Sequence, residues 1–188
     1  MKVFRMKKYL ITSREFYGDT LRDFCSNLCE QIEKHQPEFV LYRDKNAQNY
    51  GKIATAFVAE CKKFENVKSF LHQDSSLAKK LGATGVHLTS GQFDAIKEAK
   101  EMGLFVIIST HTHEEVLRAQ MLGADAVTYS PVFASPNKGE PKGIEDLREL
   151  LDICEIKVFA LGGIVTQEHI AMIEQTKAYG FASIRHFY

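Results

Sequence analysis

Two adjacent glycines stand where the chain is best suited to bind an anion. Gly162 and Gly163 follow a short apolar run and precede Thr166, a residue type that caps helices, so the order predicts a buried strand followed by a helix. Glycine has no Cβ, and backbone N–H groups at such a strand end can therefore approach a phosphate, which the helix N-terminus also favours. We predict a phosphate site here, shared with Ser183 and Ile184. The alternative is a tight turn that needs glycine for its conformation alone.

Two basic residues alternate at the end of another predicted strand. Residues two apart on a strand share a face, so Arg43 and Lys45 can both face one pocket and bind an anion there. The alternative is a surface ion pair with Asp44 or Glu38, which would contribute little to stability. The sequence leaves both interpretations open.

The elements that must position these residues alternate along the whole chain. Short apolar runs predict strands at 8–12, 38–43, 67–71, 86–88, 105–109, 127–129, 157–161 and 179–182. Helical spacing predicts helices at 20–34, 47–64, 93–102, 112–122, 144–154 and 166–175, with a short one that Asp74 or Ser75 caps and that ends at Leu81. Eight strands alternating with helices predict a compact parallel (β/α)8 barrel of the TIM type, with a doubly wound open sheet as the alternative.

Two features favour the closed barrel. The fragments 81–86 and 122–127 repeat one design, in which a helix end passes through glycine into a strand. Polar residues also follow the strand ends, which share one face in a barrel and would converge on one pocket. These residues are Arg43, Lys45, Asp74, Ser109, His111, Lys138, Gly162 and Ser183.

Length and charge limit the class of partner. The chain has 188 residues with 24 basic and 24 acidic side chains, hence a formal net charge of zero. Nothing in this balance suggests a nucleic-acid or membrane surface, and no apolar run approaches the ~18 residues that span a bilayer. The first eight residues lack the apolar core of a signal peptide. We expect one cytoplasmic domain, 1–188, whose partner is a small molecule or another copy of itself.

The four cysteines are predicted to be buried, reduced thiols. Cys25 and Cys29 lie four residues apart within a helical apolar pattern, and free cysteine packs as a small hydrophobic residue. With Cys61 and Cys154 they leave a metal site or a disulfide as the less favoured alternative.

Taken in order, the motifs resemble those of the thiamine phosphate synthase and TenI superfamily. The match runs through 9–12, 85–88, 109–112, 130–133, Lys138, 162–164 and Ser183. The resemblance implies a (β/α)8 barrel that binds a thiazole phosphate, with the phosphate against the Gly-Gly turn and the backbone after strand eight. This agrees with the phosphate site predicted from the glycines.

Two branches share this barrel. Synthases couple a pyrimidine diphosphate to a thiazole phosphate and use Mg²⁺ to hold the departing diphosphate, whereas TenI-type proteins are thiazole tautomerases that move a proton. The synthase pattern has glutamine where this chain has Leu41, and leucine cannot hydrogen-bond an aminopyrimidine. Of the two metal carboxylates of that pattern Asp74 is kept, while a TenI-like turn at 89–93 displaces Asp94. The resemblance therefore favours the tautomerase with no required cofactor, and Mg²⁺ at Asp74 belongs to the synthase alternative.

Histidine supplies the candidate for proton transfer. His111 carries an imidazole, the side-chain group best suited to proton transfer, and TenI-type proteins similar to this chain place a catalytic histidine at this position. The alternative is a histidine that merely flanks a helix start. His72 and His87 are predicted to be buried, hydrogen-bonded core residues, His113 to be solvated, and Asp94 to be a charge in the first turn of a helix.

One loop keeps part of the synthase's diphosphate-binding pattern. Ser135 and Lys138 match it, while Asn137 replaces the usual threonine. The resemblance implies that these three residues, together with Ser109, bind the substrate or its anionic group, so the synthase activity stays open.

The C-terminal end motivates a prediction about assembly. Relatives generally have a closing helix after strand eight, whereas this chain stops at Tyr188. We expect a barrel lacking its last outer helix, an exposed apolar flank near Phe181, Phe187 and Tyr188, and hence a homo-oligomer.

A third functional hypothesis is a non-catalytic protein that binds and senses thiazole phosphate. It differs from the catalytic hypotheses in one structural respect. Catalysis requires His111 and the anion-binding residues to face one cavity beside Gly162 and Gly163.

Overall fold

Eight parallel strands close into a barrel. The computed structural model describes residues 5–44, 47–136 and 138–188. The strands pair in sequence order from β1 to β8, and β8 pairs with β1 through Lys7↔Gly180 to Leu10↔Ser183. The predicted (β/α)8 barrel is confirmed, and the open sheet is wrong.

The elements follow the predicted alternation closely. The strands are β1 (Lys7–Ile11), β2 (Phe39–Tyr42), β3 (Lys68–His72), β4 (Gly85–Leu88), β5 (Phe105–Thr110), β6 (Ala126–Tyr129), β7 (Lys157–Leu161) and β8 (Gly180–Ser183). The helices are α1 (Arg14–Tyr17), α2 (Leu21–His35), α3 (Tyr50–Cys61), α4 (Ser75–Leu81), α5 (Ala95–Glu101), α6 (His113–Met121), α7 (Gly143–Ile153) and α8 (Gln167–Glu174), with a 3₁₀ turn at Arg185–Phe187. The single turn α1 is too short to produce a periodic pattern, so the sequence did not predict it.

Side chains that alternate along the strands build two separate cores. Every second residue faces into the barrel, where they form the interior cluster. Its members are Tyr9, Ile11, Phe39, Leu41, Phe70, Ile107, Ala126, Phe159 and Ala182. The residues between them, such as Leu10, Val40 and Leu71, face outward and pack against the helices. Strands buried on both faces explain the continuous apolar runs in the sequence.

Glycines make room for the large rings inside the barrel. A Cβ at Gly85 would collide with the carbonyl oxygen of Phe105 and come within 2.7 Å of the Phe70 ring. A Cβ at Gly180 would lie 2.6 Å from the Phe159 ring. Glycines at these two positions therefore leave the space that the neighbouring rings fill, as packing at native density requires.

Side-chain caps start four of the helices. In each, the side chain of the residue before the helix accepts a hydrogen bond from a backbone N–H of the first turn. The capping residues are Thr20, Asp74, Thr112 and Thr166. None of the helices in the described ranges combines the length and apolar character needed to cross a membrane.

The flank between β8 and β1 is covered by the chain itself. Phe187 is fully buried and its ring stacks on that of Phe181, with 5.9 Å between centroids. Tyr188 stacks on Phe16 at 4.3 Å and meets Tyr17 edge to face. The expectation of an exposed apolar flank is therefore wrong, because α1 and the 3₁₀ turn fill the place of an outer helix. The homo-oligomer loses this argument and stays a prediction.

All four cysteines are free thiols set into the helical layer. Cys61 is buried, and Cys25, Cys29 and Cys154 are partly buried. Burial raises the pKa of each thiol, and the adjacent Glu60 carboxylate helps to bring that of Cys29 to about 11. Cys61 is buried as predicted, and the reduced state of the thiols stays a prediction.

Candidate functional site

A cavity of about 420 Å³ opens at the C-terminal ends of the strands. All eight strand ends contribute to its wall, the arrangement in which TIM barrels carry their active sites. Nine of the predicted site residues line it: Arg43, Ser109, His111, Ser135, Lys138, Gly162, Gly163, Ser183 and Ile184. Lys45 and Asn137 lie outside the described residues. The condition that separates catalysis from binding alone, one cavity shared by His111 and the anion-binding residues, is therefore met.

The glycine turn at Gly162 and Gly163 needs glycine for its backbone conformation as well as for the close approach of other groups to the backbone. Gly162 and Gly163 have φ of 99° and 68°, in the region that glycine adopts without strain. A Cβ at Gly163 would come within 2.7 Å of the Phe133 carbonyl oxygen and collide with that of Ala134. The turn thus holds the β6–α7 loop directly against it, and the conformational interpretation is correct in part.

Ser183 ties the two strand ends of the predicted phosphate site together. Its hydroxyl donates to the Ile164 carbonyl oxygen at 2.7 Å and accepts from the His186 N–H at 3.2 Å. Within the described ranges the backbone N–H groups of Gly163 and Ile184 form no hydrogen bond with another residue. Two adjacent turns therefore present unused backbone donors to the cavity, which is the chemistry that binds phosphate.

Arg43 brings a half-buried cation to the same cavity. The two acidic residues considered as its partners are engaged elsewhere, since Asp44 lies 2.8 Å from Arg14 and Glu38 lies 3.1 Å from Lys7. In the described part of the chain no ion pair involves the Arg43 guanidinium, so a surface ion pair is wrong for this residue. Burial lowers its pKa, because desolvation disfavours the charged form. An anionic ligand would offset that desolvation.

The geometry of His111 fixes its proton. Nδ1 lies 3.0 Å from the Ser130 carbonyl oxygen, which only accepts, so Nδ1 carries a hydrogen. In the neutral ring Nε2 is then the basic nitrogen. The backbone N–H of His111 donates to the Glu115 carboxylate at 2.6 Å, and Thr112 caps α6. His111 therefore flanks a helix start and lines the cavity, which joins the two interpretations.

The sequence missed the cavity role of two buried histidines. His72 and His87 are neighbours in the β3–β4 register and both line the cavity. His87 is buried and hydrogen-bonded as predicted, and burial, His72 and Arg43 lower its pKa to about 3. The missed signal was the alternation itself, because each histidine lies two residues beyond an inward-facing position.

Other lining residues were not predicted either. They come mainly from α1, from the turn after β4 and from the strand ends of β6 and β8: Ser13, Glu15, Phe16, Thr89, Ser90, Ser130 and Arg185. His113 was expected to be solvated, but it packs beside Tyr129 with Nε2 3.3 Å from Asp146. His113 therefore follows the capping residue of α6 as expected, but its side chain packs beside Tyr129 and Asp146 instead of being solvated.

The carboxylates do not fit a magnesium site at this cavity. Asp74 is exposed, does not line the cavity and accepts the Leu77 N–H at 2.8 Å as the cap of α4. Asp94 is fully exposed, with an oxygen 3.8 Å from Arg118. Among the residues the structure describes, no three His, Cys, Asp or Glu side chains are grouped to hold a metal ion. The Asp74 carboxylate caps α4 outside the cavity, so this arrangement does not support the predicted role of Asp74 as a metal ligand.

Comparison with known proteins identifies the family. A family model described as thiamine monophosphate synthase, TMP-TENI, matches residues 8–187. The chain belongs to the thiamine phosphate synthase and TenI family. The superfamily expected from the motifs is confirmed.

Individual relatives give the same result at full length. A thiamine-phosphate synthase of Fusobacterium nucleatum is 31% identical over 186 residues, covering 95% of this chain and 87% of its own length. That of Bacillus licheniformis is 32% identical over 176 residues, covering 88% and 76%. Among solved structures, the thiamine phosphate pyrophosphorylase of Pyrococcus furiosus superposes with a TM-score of 0.81 at 26% identity, covering 95% of this chain and 85% of the other. The TenI-type preference within the family receives no support from these names.

Proposed function

We propose that the protein is an enzyme of thiamine biosynthesis that couples a thiazole phosphate to a pyrimidine diphosphate. The observation that carries the proposal is the similarity, over nearly the whole chain, to proteins named thiamine-phosphate synthases. The cavity supports it, since Arg43, Lys138 and the glycine turn supply three anion-binding elements around one space. Two phosphorylated substrates need more than one such element.

The coupling reaction places clear demands on these residues. The thiazole nitrogen forms a bond to the methylene carbon of the pyrimidine, and the bond from that carbon to the diphosphate oxygen breaks. Negative charge grows on the departing diphosphate, where the Lys138 ammonium and the Arg43 guanidinium would stabilise it. The glycine turn and Ser183 would hold the thiazole phosphate and orient its ring. Since the carboxylates do not fit a metal, we assign no protein ligand to Mg²⁺.

A direct assay tests the proposal. Purified protein is given thiazole phosphate and pyrimidine diphosphate, with Mg²⁺ or with a chelator, and thiamine phosphate is measured. Lys138→Ala should lower the rate of coupling by about 10-fold or more, because a hydrogen bond to a charged group contributes about 1.5–3 kcal/mol. Lys97→Ala, at an exposed position beside Glu101 on α5, is the matched control and should leave the rate unchanged. Absence of thiamine phosphate under both conditions would refute coupling.

The second candidate is the thiazole tautomerase predicted from the sequence. It is favoured by one observation, that Asp74 and Asp94 lie away from the cavity while His111 lines it with Nδ1 hydrogen-bonded. Proton transfer needs no metal, and Nε2 would take and return the proton. The phosphate anchor would serve both reactions.

Proton exchange on the thiazole carboxylate phosphate, followed by NMR, tests this second candidate. His111→Asn should bind the ligand but lose turnover by about 10² to 10⁴, the usual contribution of a general acid or base. His113→Asn, which changes the neighbouring histidine that lies by Asp146, should retain turnover. Absence of wild-type turnover would exclude the tautomerase, and equal turnover of wild type and His111→Asn would exclude His111 as its proton-transfer group. Binding without activity in either assay would favour a non-catalytic sensor.

A further inference from the structure

A buried hydrogen-bond chain runs from the interior cluster to the cavity wall. The Tyr9 hydroxyl lies 2.8 Å from Nδ1 of His87, and Nε2 of His87 lies 3.0 Å from the Ser109 hydroxyl. Tyr9 is fully buried and His87 is 3% exposed, whereas Ser109 lines the cavity. The three residues lie on β1, β4 and β5, so this series of hydrogen bonds crosses the inside of the barrel.

The surroundings of Tyr9 determine the direction of these hydrogen bonds. Its ring is enclosed by Phe39, Phe70 and Phe159, with centroids 5.2 to 5.8 Å away, none of which accepts a hydrogen bond well. Within the described ranges, His87 Nδ1 is the one hydrogen-bond partner of the Tyr9 hydroxyl. Burial raises the pKa of Tyr9 well above its usual value, so the hydroxyl keeps its proton. A buried O–H without an acceptor is costly, and Tyr9 must therefore donate to Nδ1.

The donor and acceptor roles of Tyr9 and His87 also determine those of Ser109. With Nδ1 accepting, the neutral ring of His87 carries its hydrogen on Nε2 and donates it to the Ser109 oxygen. The hydroxyl hydrogen of Ser109 is then free, and this hydroxyl has no other hydrogen bond among the residues the structure describes. It points away from His87, which leaves the cavity as its direction.

We propose that Tyr9 and His87 are positioning residues that make the Ser109 hydroxyl a hydrogen-bond donor to the ligand. The site then selects a heteroaromatic ring with an acceptor nitrogen over Ser109. The identity of this ring rests on the proposed coupling function. The ring is the pyrimidine, because the thiazole nitrogen must keep its lone pair free to form the new bond. Reversed hydrogen bonds would present the Ser109 oxygen as an acceptor and favour an N–H group instead.

The tautomer of His87 tests the relay without any substrate. In ¹⁵N–¹H correlation spectra of the ligand-free wild type at neutral pH, we expect a protonated Nε2 and an unprotonated, pyridine-type Nδ1. Tyr9→Phe should raise the fraction of the Nδ1–H form. Tyr17→Phe is the matched control, because among the described residues the buried Tyr17 hydroxyl has no hydrogen-bond partner, and its loss should leave the spectrum of His87 unchanged. An Nδ1–H tautomer in the wild type would overturn the relay, whether or not the protein couples its substrates.

Calorimetric binding of the pyrimidine diphosphate tests the selection. Ser109→Ala should weaken binding by about 3- to 10-fold, the range expected for one hydrogen bond. Tyr9→Phe should weaken it by a smaller factor, while Ser109→Thr, which keeps the hydroxyl, should restore it. Thiazole phosphate affinity should not change in any of these variants. Unaltered binding of the pyrimidine diphosphate to Ser109→Ala would refute the donor role even if the tautomer is as expected.

Discussion

The two ends of the barrel interior are built on the same strands and have opposite character. Toward the N-terminal ends, the rings of Tyr9, Phe39, Phe70 and Phe159 pack against one another with centroid distances of 5.0 to 5.8 Å. On β3, β4 and β5 the next inward-facing residues are His72, His87 and Ser109, which form, with Arg43 after β2 and His111 after β5, a polar layer that lines the cavity. One step of the strand pleat separates a dry core from the cavity.

The difference shows how one fold divides stability from chemistry. The rings exclude water and leave no space, so each substitution there creates a cavity or an overlap. The polar layer is bounded by that floor below and by loops above, and hydrogen bonds fix the orientation of His87, Ser109 and His111 within it. Tyr9 links the two, since its ring is in the floor and its hydroxyl reaches His87.

The largest effect should come from opening the aromatic floor. Phe159→Ala removes a fully buried ring that contacts Tyr9, Phe39 and Tyr179, and should lower the free energy of unfolding by about 3–5 kcal/mol. Denaturant unfolding measures this loss. Met121→Ala, at a residue that is 85% exposed, should change it by no more than about 0.5 kcal/mol. A similar small loss for Phe159→Ala would show that the floor does not support the barrel.

A pH-dependent effect should separate the polar layer from the floor. His87 has a pKa of about 3 when folded and a usual pKa near 6.5 when unfolded. Between these values the unfolded chain binds more protons, so the stability that a neutral His87 contributes is present above about pH 6.5 and is lost as the pH falls toward 3. His87→Gln should therefore show a flatter dependence of unfolding free energy on pH between 7 and 4.5, by roughly 1–3 kcal/mol. Urea titrations at both pH values decide the question, and parallel curves would contradict it.

A smaller effect is expected where the polar layer meets the ligand. Arg43→Ala should lower the affinity for pyrimidine diphosphate by about 10- to 100-fold, because it removes a charge-assisted hydrogen bond. Its unfolding free energy should hold or rise, since a half-buried cation is removed. Arg118→Ala, which changes an arginine lying over the Phe93 ring on the surface, is the control and should bind as the wild type does. Equal affinity for Arg43→Ala would place the anion elsewhere.

The smallest effect concerns the boundary between the two layers. Leu41 is 1% exposed, belongs to the interior cluster and also lines the cavity. Leu41→Gln would place an amide beside the ligand and should raise pyrimidine affinity by about 3-fold while lowering stability. Leu41→Met keeps the residue apolar and should leave affinity unchanged, as calorimetry can show. A loss of affinity for Leu41→Gln would mean that the pyrimidine does not reach β2.

Periodicity predicted the strands and helices, because strands covered on both faces leave uninterrupted apolar runs and caps such as Thr112 and Thr166 mark the helix starts, whereas the closed barrel also needed the repeated helix-to-strand fragments. It also brought Arg43, His111 and Gly163 to one cavity, since the strand ends of a closed barrel share a face. Periodicity does not show where a side chain points once the strand has ended. Asp74 followed a strand end but turned to cap α4, and nothing in the order of residues distinguishes these two uses of a carboxylate.

The outer contacts of the last strand were beyond sequence reasoning for another reason. The packing of Tyr188 depends on α1, a single turn with no periodic signal of its own. His87 was recognised as buried, yet its link to Ser109 depends on a register between strands that no local pattern encodes.

The thiols give the molecule a practical property. Since burial raises the pKa of Cys25, Cys29, Cys61 and Cys154, the fraction of reactive thiolate is small at neutral pH. A cysteine introduced at the exposed position of Met121 would react first with a maleimide dye. A Met121→Cys variant can therefore carry a single fluorescent label on α6 without removal of the four native cysteines, and ligand arrival could then be followed one molecule at a time.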